Sequence, residues 1–239
     1  MRKKLKWIIP LAVLLLLAAA FFIYVSIYYH ADAEALAALE PTETVTVSET
    51  DYGWFFDGPG ETDALIFYPG AKVEAPAYAP LLHRLAAAGM DACLVKMPFN
   101  LAIFGIGKAE KIMTLHDYEN WYIGGHSLGG AMAARFAADH TESLKGVILF
   151  AAYTTKTLKE PLTVLSIFGS EDGVLNMDKV AEGRALVCGE YKELVIEGGN
   201  HARFGSYGEQ KGDGKATIGP AEQWDRTVEF IIESTEHGS

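Results

Sequence analysis

Apolar positions along the chain fall into short continuous runs that are separated by longer amphipathic stretches. The short runs have the length of strands and lack strict polar alternation, which indicates strands buried on both faces. They end in turn residues, as where Ala64–Tyr68 is followed by Pro69 and Gly70. The predicted strands are 45–47, 54–57, 64–68, 92–97, 121–124, 147–151, 163–168 and 193–196, the first two being joined by a turn.

Helices are predicted between most of these strands. The stretch 76–88 places Leu81, Leu82 and Leu85 on one face and ends before Gly89. Further helices are predicted at 108–116, 127–139, 177–187 and 220–233. Strands that alternate with helices predict an α/β domain, in which helices cover both faces of a mainly parallel sheet. Ligands of such sheets bind at the carboxyl ends of the strands, so residues just after each strand are the candidate site residues.

The N-terminus carries an uncharged run of 23 residues, Trp7–Tyr29, preceded by Arg2, Lys3, Lys4 and Lys6. About 20 apolar residues span a bilayer, whereas the core of a signal peptide is usually about 7–15 residues. The length therefore predicts a retained transmembrane helix, with its N-terminus in the cytoplasm and the main domain outside. Residues 31–33 have the small-x-small pattern of a cleavage site, so secretion after cleavage near Ala33 is the alternative.

The chain therefore divides into a membrane anchor or uncleaved signal at 1–30, a stalk at 31–44 that is rich in Ala and Glu, and one α/β domain at 45–239. After residue 30 the chain holds 16 basic and 31 acidic side chains, which disfavours nucleic acid as a partner. Cys93 and Cys188 are the two cysteines, and neither a disulfide framework nor a zinc site is predicted from them.

The strand at 121–124 is followed by the sequence Gly-His-Ser-Leu-Gly-Gly, residues 125–130. This matches the G-x-S-x-G nucleophile elbow, and a strand before it with a helix after it is the context that the motif requires. On such a turn the side chain of Ser127 enters the cleft, and the flanking glycines leave room for the crowded backbone. The following helix directs its positive end at charge that develops on a substrate. Ser127 is therefore the predicted nucleophile.

A carboxylate and a histidine follow two later strands. The strand at 163–168 ends before Glu171 and Asp172, and the strand at 193–196 leads to His201. His201 is predicted to take the proton of Ser127 and return it to the leaving group, while Asp172 fixes the tautomer of His201. Glu171 is the rival acid. Two backbone N–H groups are predicted to form an oxyanion hole, those of Leu128 and Ala71.

From about residue 45 to the C-terminus the chain resembles a small member of the α/β-hydrolase superfamily. The elbow is similar to that of many esterases and lipases, and the order Ser127, Asp172, His201 is the order found in this superfamily. The resemblance implies acyl transfer to water without a cofactor or metal. Many relatives carry His-Gly where this chain has Pro69-Gly70, and this departure bears on the assignment of Ala71.

The walls of the substrate site are predicted from the remaining segments. Only residues 153–162 lie where many relatives carry a cap, too few for a helical lid. The apolar loop 97–104, which contains Phe99, is either core packing or an acyl-binding wall. The segment from Phe204 and Tyr207 to residue 219 is a candidate substrate-binding loop, with a calcium loop as a weaker alternative. Lys72 and Lys96 follow strands and are candidates for attracting an anionic substrate.

These features predict a membrane-anchored serine hydrolase whose catalytic domain lies outside the cytoplasm. Its substrate would be a small molecule with a carboxylic ester, although thioesters, amides and lactones suit the same residues. The alternative from another class is a non-catalytic binding protein on the same fold. Because membership in a fold determines the catalytic residues but not the substrate, neither the acyl group nor the leaving group follows from the motif.

Overall fold

A computed structural model describes residues 2–236, with side chains from residue 9 to residue 235. Its centre is an eight-stranded sheet in the order β1-β2-β4-β3-β5-β6-β7-β8. The strands are β1 Thr46–Thr50, β2 Gly53–Asp57, β3 Asp63–Tyr68, β4 Asp91–Val95, β5 Asn120–His126, β6 Gly146–Phe150, β7 Thr163–Gly169 and β8 Tyr191–Ile196. All eight predicted strands are present.

Six of the strands, β3 to β8, pair in parallel, while β1 and β2 form an antiparallel hairpin that joins the sheet at β4. Residues of β4 and β6 are buried throughout, as expected for strands covered on both sides. The carboxyl ends of β3, β5, β6, β7 and β8 meet at one edge of the sheet because these strands run in the same direction. The predicted fold class, an α/β-hydrolase fold with a mainly parallel sheet, is confirmed.

Helices cover both faces of this sheet. They are α1 Arg2–Ser26, α2 Ala33–Ala37, α3 Ala79–Ala87, α4 Lys108–Met113, α5 Leu128–Asp139, α6 Met177–Arg184 and α7 Pro220–Glu236. Successive side chains of a strand point to opposite faces. Leu65 and Phe67 accordingly pack with α3 and α7, whereas Ala64 and Ile66 pack with α4 and α5. Two apolar layers therefore fix the sheet between the helices.

The connection between β6 and β7 contains no helix, so a helical cap is absent from this part of the described chain. Its middle instead forms a single bridge, between Leu158 and Val187. The expectation that residues 153–162 are too short for a helical lid agrees with the structure. The carboxyl edge of the sheet is consequently left without a covering domain on this side.

Helix α1 differs from the others because its apolar side chains are exposed. Its segment Ile9–Ser26 is long and apolar enough to cross a membrane, and only 6% of that segment is buried. Burying exposed leucines, as at Leu14 and Leu16, requires an apolar medium that the domain itself does not offer. The helix has the length and composition of a membrane anchor, which a signal sequence shares.

The segment after α1 is packed on the domain, which differs from the predicted stalk at 31–44. Tyr29 forms a parallel bridge with Val73, and its N–H donates to the carbonyl of Lys72 at 2.7 Å. Asp32 caps α2 and accepts the hydroxyl hydrogen bond of Ser206, whose Oγ lies within 2.9 Å of both carboxylate oxygens, while Ala35 is fully buried. The composition of this segment did not reveal these contacts because its partners lie far along the chain. The end of α1 is thereby fixed beside the carboxyl end of β3.

Candidate active site

Ser127 lies on the turn between the last residue of β5 and the first residue of α5. Its backbone has φ 54° and ψ −122°, a conformation that is rare for a residue with a side chain. The surroundings hold it there, since the N–H of Ser127 donates to the carbonyl of Phe150 at 2.9 Å. A side chain at Gly125 or Gly129 would collide with the carbonyl oxygen of Tyr68. These two glycines let the turn pack directly against β3, with the serine at the carboxyl edge.

His201 and Asp172 form a buried pair after β8 and β7. Nδ1 of His201 lies 2.8 Å from Oδ2 of Asp172, and the two side chains are 1% and 2% exposed. The other oxygen of Asp172 accepts hydrogen bonds from the N–H groups of Val174 and Leu175, at 2.8 and 2.7 Å. The carboxylate is therefore held from both sides. This places the proton of a neutral His201 on Nδ1 and leaves Nε2 with a free lone pair.

Glu171, the rival acid, points elsewhere. It is exposed, and its Oε1 accepts a hydrogen bond from Ser170 Oγ at 3.2 Å. The structure therefore places Asp172, and not Glu171, against His201.

Ser127 and His201 line one cavity of about 250 Å³. Its other walls are Leu128, Ala131, Ala151, Ala152, Tyr153, Val174, Leu175 and Asn176. Nε2 of His201 has no hydrogen-bond partner within the described residues, and no hydrogen bond joins it to Ser127 Oγ there. Such bonds are often long in unliganded enzymes and close when substrate binds. Larger cavities, of about 440 and 560 Å³, contain neither Ser127 nor His201.

The sequence predicts two backbone N–H groups as oxyanion donors, that of Leu128 directly after Ser127 and that of Ala71 in the loop after β3. Leu128 begins the 12-residue helix α5, whose first N–H groups have no partner inside the helix. In the loop after β3, the N–H of Gly70 donates to Tyr78 Oη at 3.1 Å and is thereby occupied. The N–H of Ala71 donates no hydrogen bond within the described part of the chain. Ala71 rather than Gly70 is therefore available as the second donor.

A buried tyrosine supports this loop, which sequence reasoning did not identify. Tyr78 Oη lies 2.8 Å from Nδ1 of His126 while it accepts from Gly70 N–H. Burial, and after it the charge of His201, holds the pKa of His126 well below its ordinary value, so this imidazole is neutral. Its ring centroid lies 4.4 Å from that of His201. A neutral ring at this distance does not oppose a positive charge on His201.

Asp213 connects the acid loop and the histidine loop. Its Oδ1 accepts from the N–H groups of Gly173 and His201 at 3.1 and 3.3 Å, and its Oδ2 accepts from that of Ala202 at 2.8 Å. The sequence suggested a substrate-binding loop or a calcium loop here. Both carboxylate oxygens thus accept from backbone donors and join the two loops, and the described residues hold no group of three or more His, Cys, Asp and Glu suited to a metal.

The residues predicted to bind substrate do not line the cavity that contains Ser127. They are Lys72, Lys96, Phe99, Phe204 and Tyr207. Phe204 is fully buried and packs on Phe150 and His126. Tyr207 is buried beside Tyr78. Both are core residues, and neither side chain is available to a substrate in the cavity of Ser127.

The other three candidates lie on the opposite side of the carboxyl edge. Lys72 Nζ lies 4.3 Å from the ring centroid of Tyr24 in α1, and Lys96 is exposed after β4. Phe99 is exposed and contacts Phe21 of α1, with ring centroids 5.4 Å apart. None of these side chains lines the cavity, whose walls come from the first turns of α5 and from the segments after β6, β7 and β8. The segment 174–176 forms part of these walls, and the one sequence signal for it is its position just after Asp172.

Comparisons with known proteins agree with this architecture. The structure is similar to that of a dienelactone hydrolase from Anabaena variabilis, with a TM-score of 0.57, 14% identity, and coverage of 83% of this chain and 98% of the other. It is also similar to alpha/beta hydrolase domain-containing protein 10 from mouse, with a TM-score of 0.55, 12% identity, and coverage of 82% and 100%. At 14% and 12% identity, these similarities show the fold alone. No curated protein matches the sequence at a significant level.

The sequence itself carries a family assignment. Residues 64–225 match the model of the alpha/beta hydrolase family, a match that includes β3, the elbow, the acid loop and the histidine loop. This range is more than half of the chain and contains Ser127, Asp172 and His201. The chain belongs to the α/β-hydrolase family.

Proposed function

We propose that this protein is a serine hydrolase that cleaves carboxylic esters through an acyl-enzyme. The observation that carries the proposal is the buried pair of His201 and Asp172, at 2.8 Å, on a cavity shared with Ser127. His201 lines that cavity, its Nε2 has no hydrogen-bond partner among the described residues, and its Nδ1 is fixed by Asp172. A base held in one tautomer beside a serine on an elbow is the arrangement that activates a hydroxyl as a nucleophile.

In the proposed reaction, Ser127 Oγ gives its proton to His201 Nε2 and attacks the carbonyl carbon of the ester. The carbonyl oxygen becomes an oxyanion and accepts hydrogen bonds from the N–H groups of Leu128 and Ala71. When the C–O bond to the alcohol breaks, His201 returns the proton to the departing oxygen. Water then repeats these steps on the acyl-Ser127 ester and releases the acid. Asp172 stabilises the imidazolium that forms twice in the cycle.

The cavity limits the size of the group that binds beside Ser127. A volume of about 250 Å³ is below the range of about 300–1,000 Å³ typical of ligand pockets, which favours a short acyl or alcohol group. The absence of a helical cap after β6 leaves the rest of the substrate free to extend into solvent or toward a surface. Thioesters, amides and lactones use the same residues, and an ester screen is the first step in separating them.

We further propose that α1 anchors the protein in a membrane, with the catalytic domain outside the cytoplasm. Exposed apolar side chains along α1 and the four basic residues near its start support this topology. Secretion after cleavage near Ala33 remains the alternative. The bonds of Asp32 to Ala35 and Ser206 lie at that position, so cleavage there would have to precede folding of the domain.

Labelling of the full chain in detergent with a fluorophosphonate probe tests the catalytic proposal, because the probe reacts with an activated serine whatever the substrate. We expect labelling at Ser127 that is lost in Ser127→Ala and His201→Ala. Ser143→Ala, at an exposed serine away from the cavity, is the matched control and should keep full labelling. A folded chain that does not react would favour the alternative of a non-catalytic binding protein.

A further inference from the structure

The loop after β4 exposes large apolar side chains beside the end of α1. Phe99, Ile103 and Phe104 are 46%, 54% and 52% exposed. Phe21 of α1 touches this loop, with its ring centroid 5.4 Å from that of Phe99 and 6.0 Å from that of Phe104. The loop 97–106 and the end of α1 therefore form one continuous apolar surface. A contiguous exposed patch of this kind marks a contact with a partner or a membrane.

The position of Phe21 along α1 favours a membrane over a partner protein as the occupant of this apolar surface. Phe21 lies five residues before Ser26, the last residue of α1, which is about 7.5 Å along a helix axis that rises about 1.5 Å per residue. The apolar segment that ends at Ser26 is 18 residues, or about 27 Å, long, and a bilayer core is about 30 Å thick. If α1 spans the membrane, Phe21 lies inside the hydrocarbon, and the rings that touch it must lie there as well.

Residues nearer the domain have the chemistry of the membrane surface. Tyr24 comes one helical turn after Phe21, and Lys72 Nζ sits 4.3 Å from the centroid of its ring. Tyrosine and lysine are the side chains that bridge hydrocarbon and lipid headgroups. The segment 96–111 contains three lysines and one carboxylate, Glu110, in a domain that is otherwise strongly acidic. A basic rim around an apolar loop suits anionic headgroups.

The backbone holds the loop in this position. The N–H of Lys72 donates to the carbonyl of Asn100 at 2.8 Å, and Tyr29 donates to the carbonyl of Lys72 at 2.7 Å. Phe99 and Asn100 both have positive φ values, 57° and 53°, which turn the chain sharply at the tip. The loop is thus tied both to the segment that leaves α1 and to the loop that carries Ala71.

We propose that the loop 97–106 and the end of α1 form a lipid-docking surface that inserts into the bilayer leaflet on the side of the domain. The proposal rests on the proposed anchoring by α1 and adds a second contact with the same leaflet. The loop follows β4 and Ser127 follows β5, at the same edge of the sheet, so docking turns the catalytic edge toward the lipid surface. Esters dissolved in that leaflet are then the substrate class that reaches the cavity most directly.

The test uses the full chain in vesicles of phosphatidylcholine and phosphatidylglycerol, with one environment-sensitive fluorophore on a thiol. Phe104→Cys in a Cys188→Ser background places the label in the loop. The natural chain, labelled at the exposed Cys188, is the matched control, because Cys188 precedes β8 and lies at the amino edge of the sheet. Cys93 does not compete, since it is buried and burial raises the pKa of its thiol to about 12.

We expect the emission of the label at position 104 to be shifted to the blue relative to that of the label at Cys188. Lipids with a nitroxide high on the acyl chain should quench the label at position 104 several-fold more strongly than the label at Cys188. Flotation of the vesicles and fluorophosphonate labelling of both samples are measured in parallel. Chains that float and react, but whose two labels are equally exposed to water, would overturn the docking surface and leave the proposed function intact. Chains that do not float would overturn both the anchor and the docking surface, whatever their reaction with the probe.

Discussion

The carboxyl edge of the sheet contains two regions that are held in different ways. Around Ser127, the loops after β7 and β8 are fixed by hydrogen bonds of Asp172 and Asp213 to backbone N–H groups and to His201. Around Phe99, the loop after β4 has three large apolar side chains that are about half exposed and lie beside α1. Chemistry at a serine requires orientation to within fractions of an ångström, which directional bonds provide. Contact with lipid is not directional and requires only exposed apolar area.

The largest effect is expected from Asp172→Asn, which removes the charge that fixes His201 and keeps the shape of the side chain. An amide at this position favours the wrong tautomer of His201, and the analogous change in serine proteases lowers kcat by about 10⁴-fold. We expect a loss of ester hydrolysis of that order, measured as kcat on a soluble short-chain ester. Glu171→Gln is the matched control one residue away, and it should retain activity within about twofold because its side chain is exposed. A comparable loss in both variants would contradict the assignment of the acid.

A smaller effect on the same region is expected from Asp213→Asn. The amide offers one acceptor oxygen in place of two, so the N–H groups of Gly173, His201 and Ala202 cannot all keep their partners. Leaving a buried donor unpaired costs about 1–3 kcal/mol in the free energy of unfolding. Because these hydrogen bonds join the acid and histidine loops, their loss should displace His201, and we also expect kcat to fall by up to about 100-fold, with a smaller change in KM. Urea denaturation and steady-state kinetics measure the two effects, and an unchanged kcat would show that Asp213 supports stability alone.

The smallest effect is expected in the apolar region, from Ile103→Ser combined with Phe104→Ser. Both side chains are more than half exposed, so the free energy of unfolding in detergent should change by no more than about 0.5 kcal/mol per site. Phe204→Ala is the control, because that ring is fully buried and its removal should cost about 3–5 kcal/mol. Urea midpoints of the two variants measure the difference. A large loss in the loop variant would mean that the loop is part of the core rather than an exposed surface.

The sequence by itself determined the parts that depend on local pattern. Continuous apolar runs gave the strands, helical periodicity gave the helices between them, and the elbow glycines marked Ser127. Because the carboxyl ends of parallel strands meet at one edge, the positions of Asp172 and His201 after β7 and β8 predicted that they lie close together. These inferences need only the chain order and the direction of the strands.

The tertiary structure alone decided which side chains surround the serine. The predicted walls, among them Phe204 and Phe99, lie in the core and against α1, while the walls at 174–176 come from the acid loop. The supports by Tyr78 and Asp213, and the packing of residues 29–35 on the domain, likewise join residues far apart in the chain. Local composition carries no information about such contacts, because their energy arises only when the folded backbone brings donors, acceptors and apolar surfaces together.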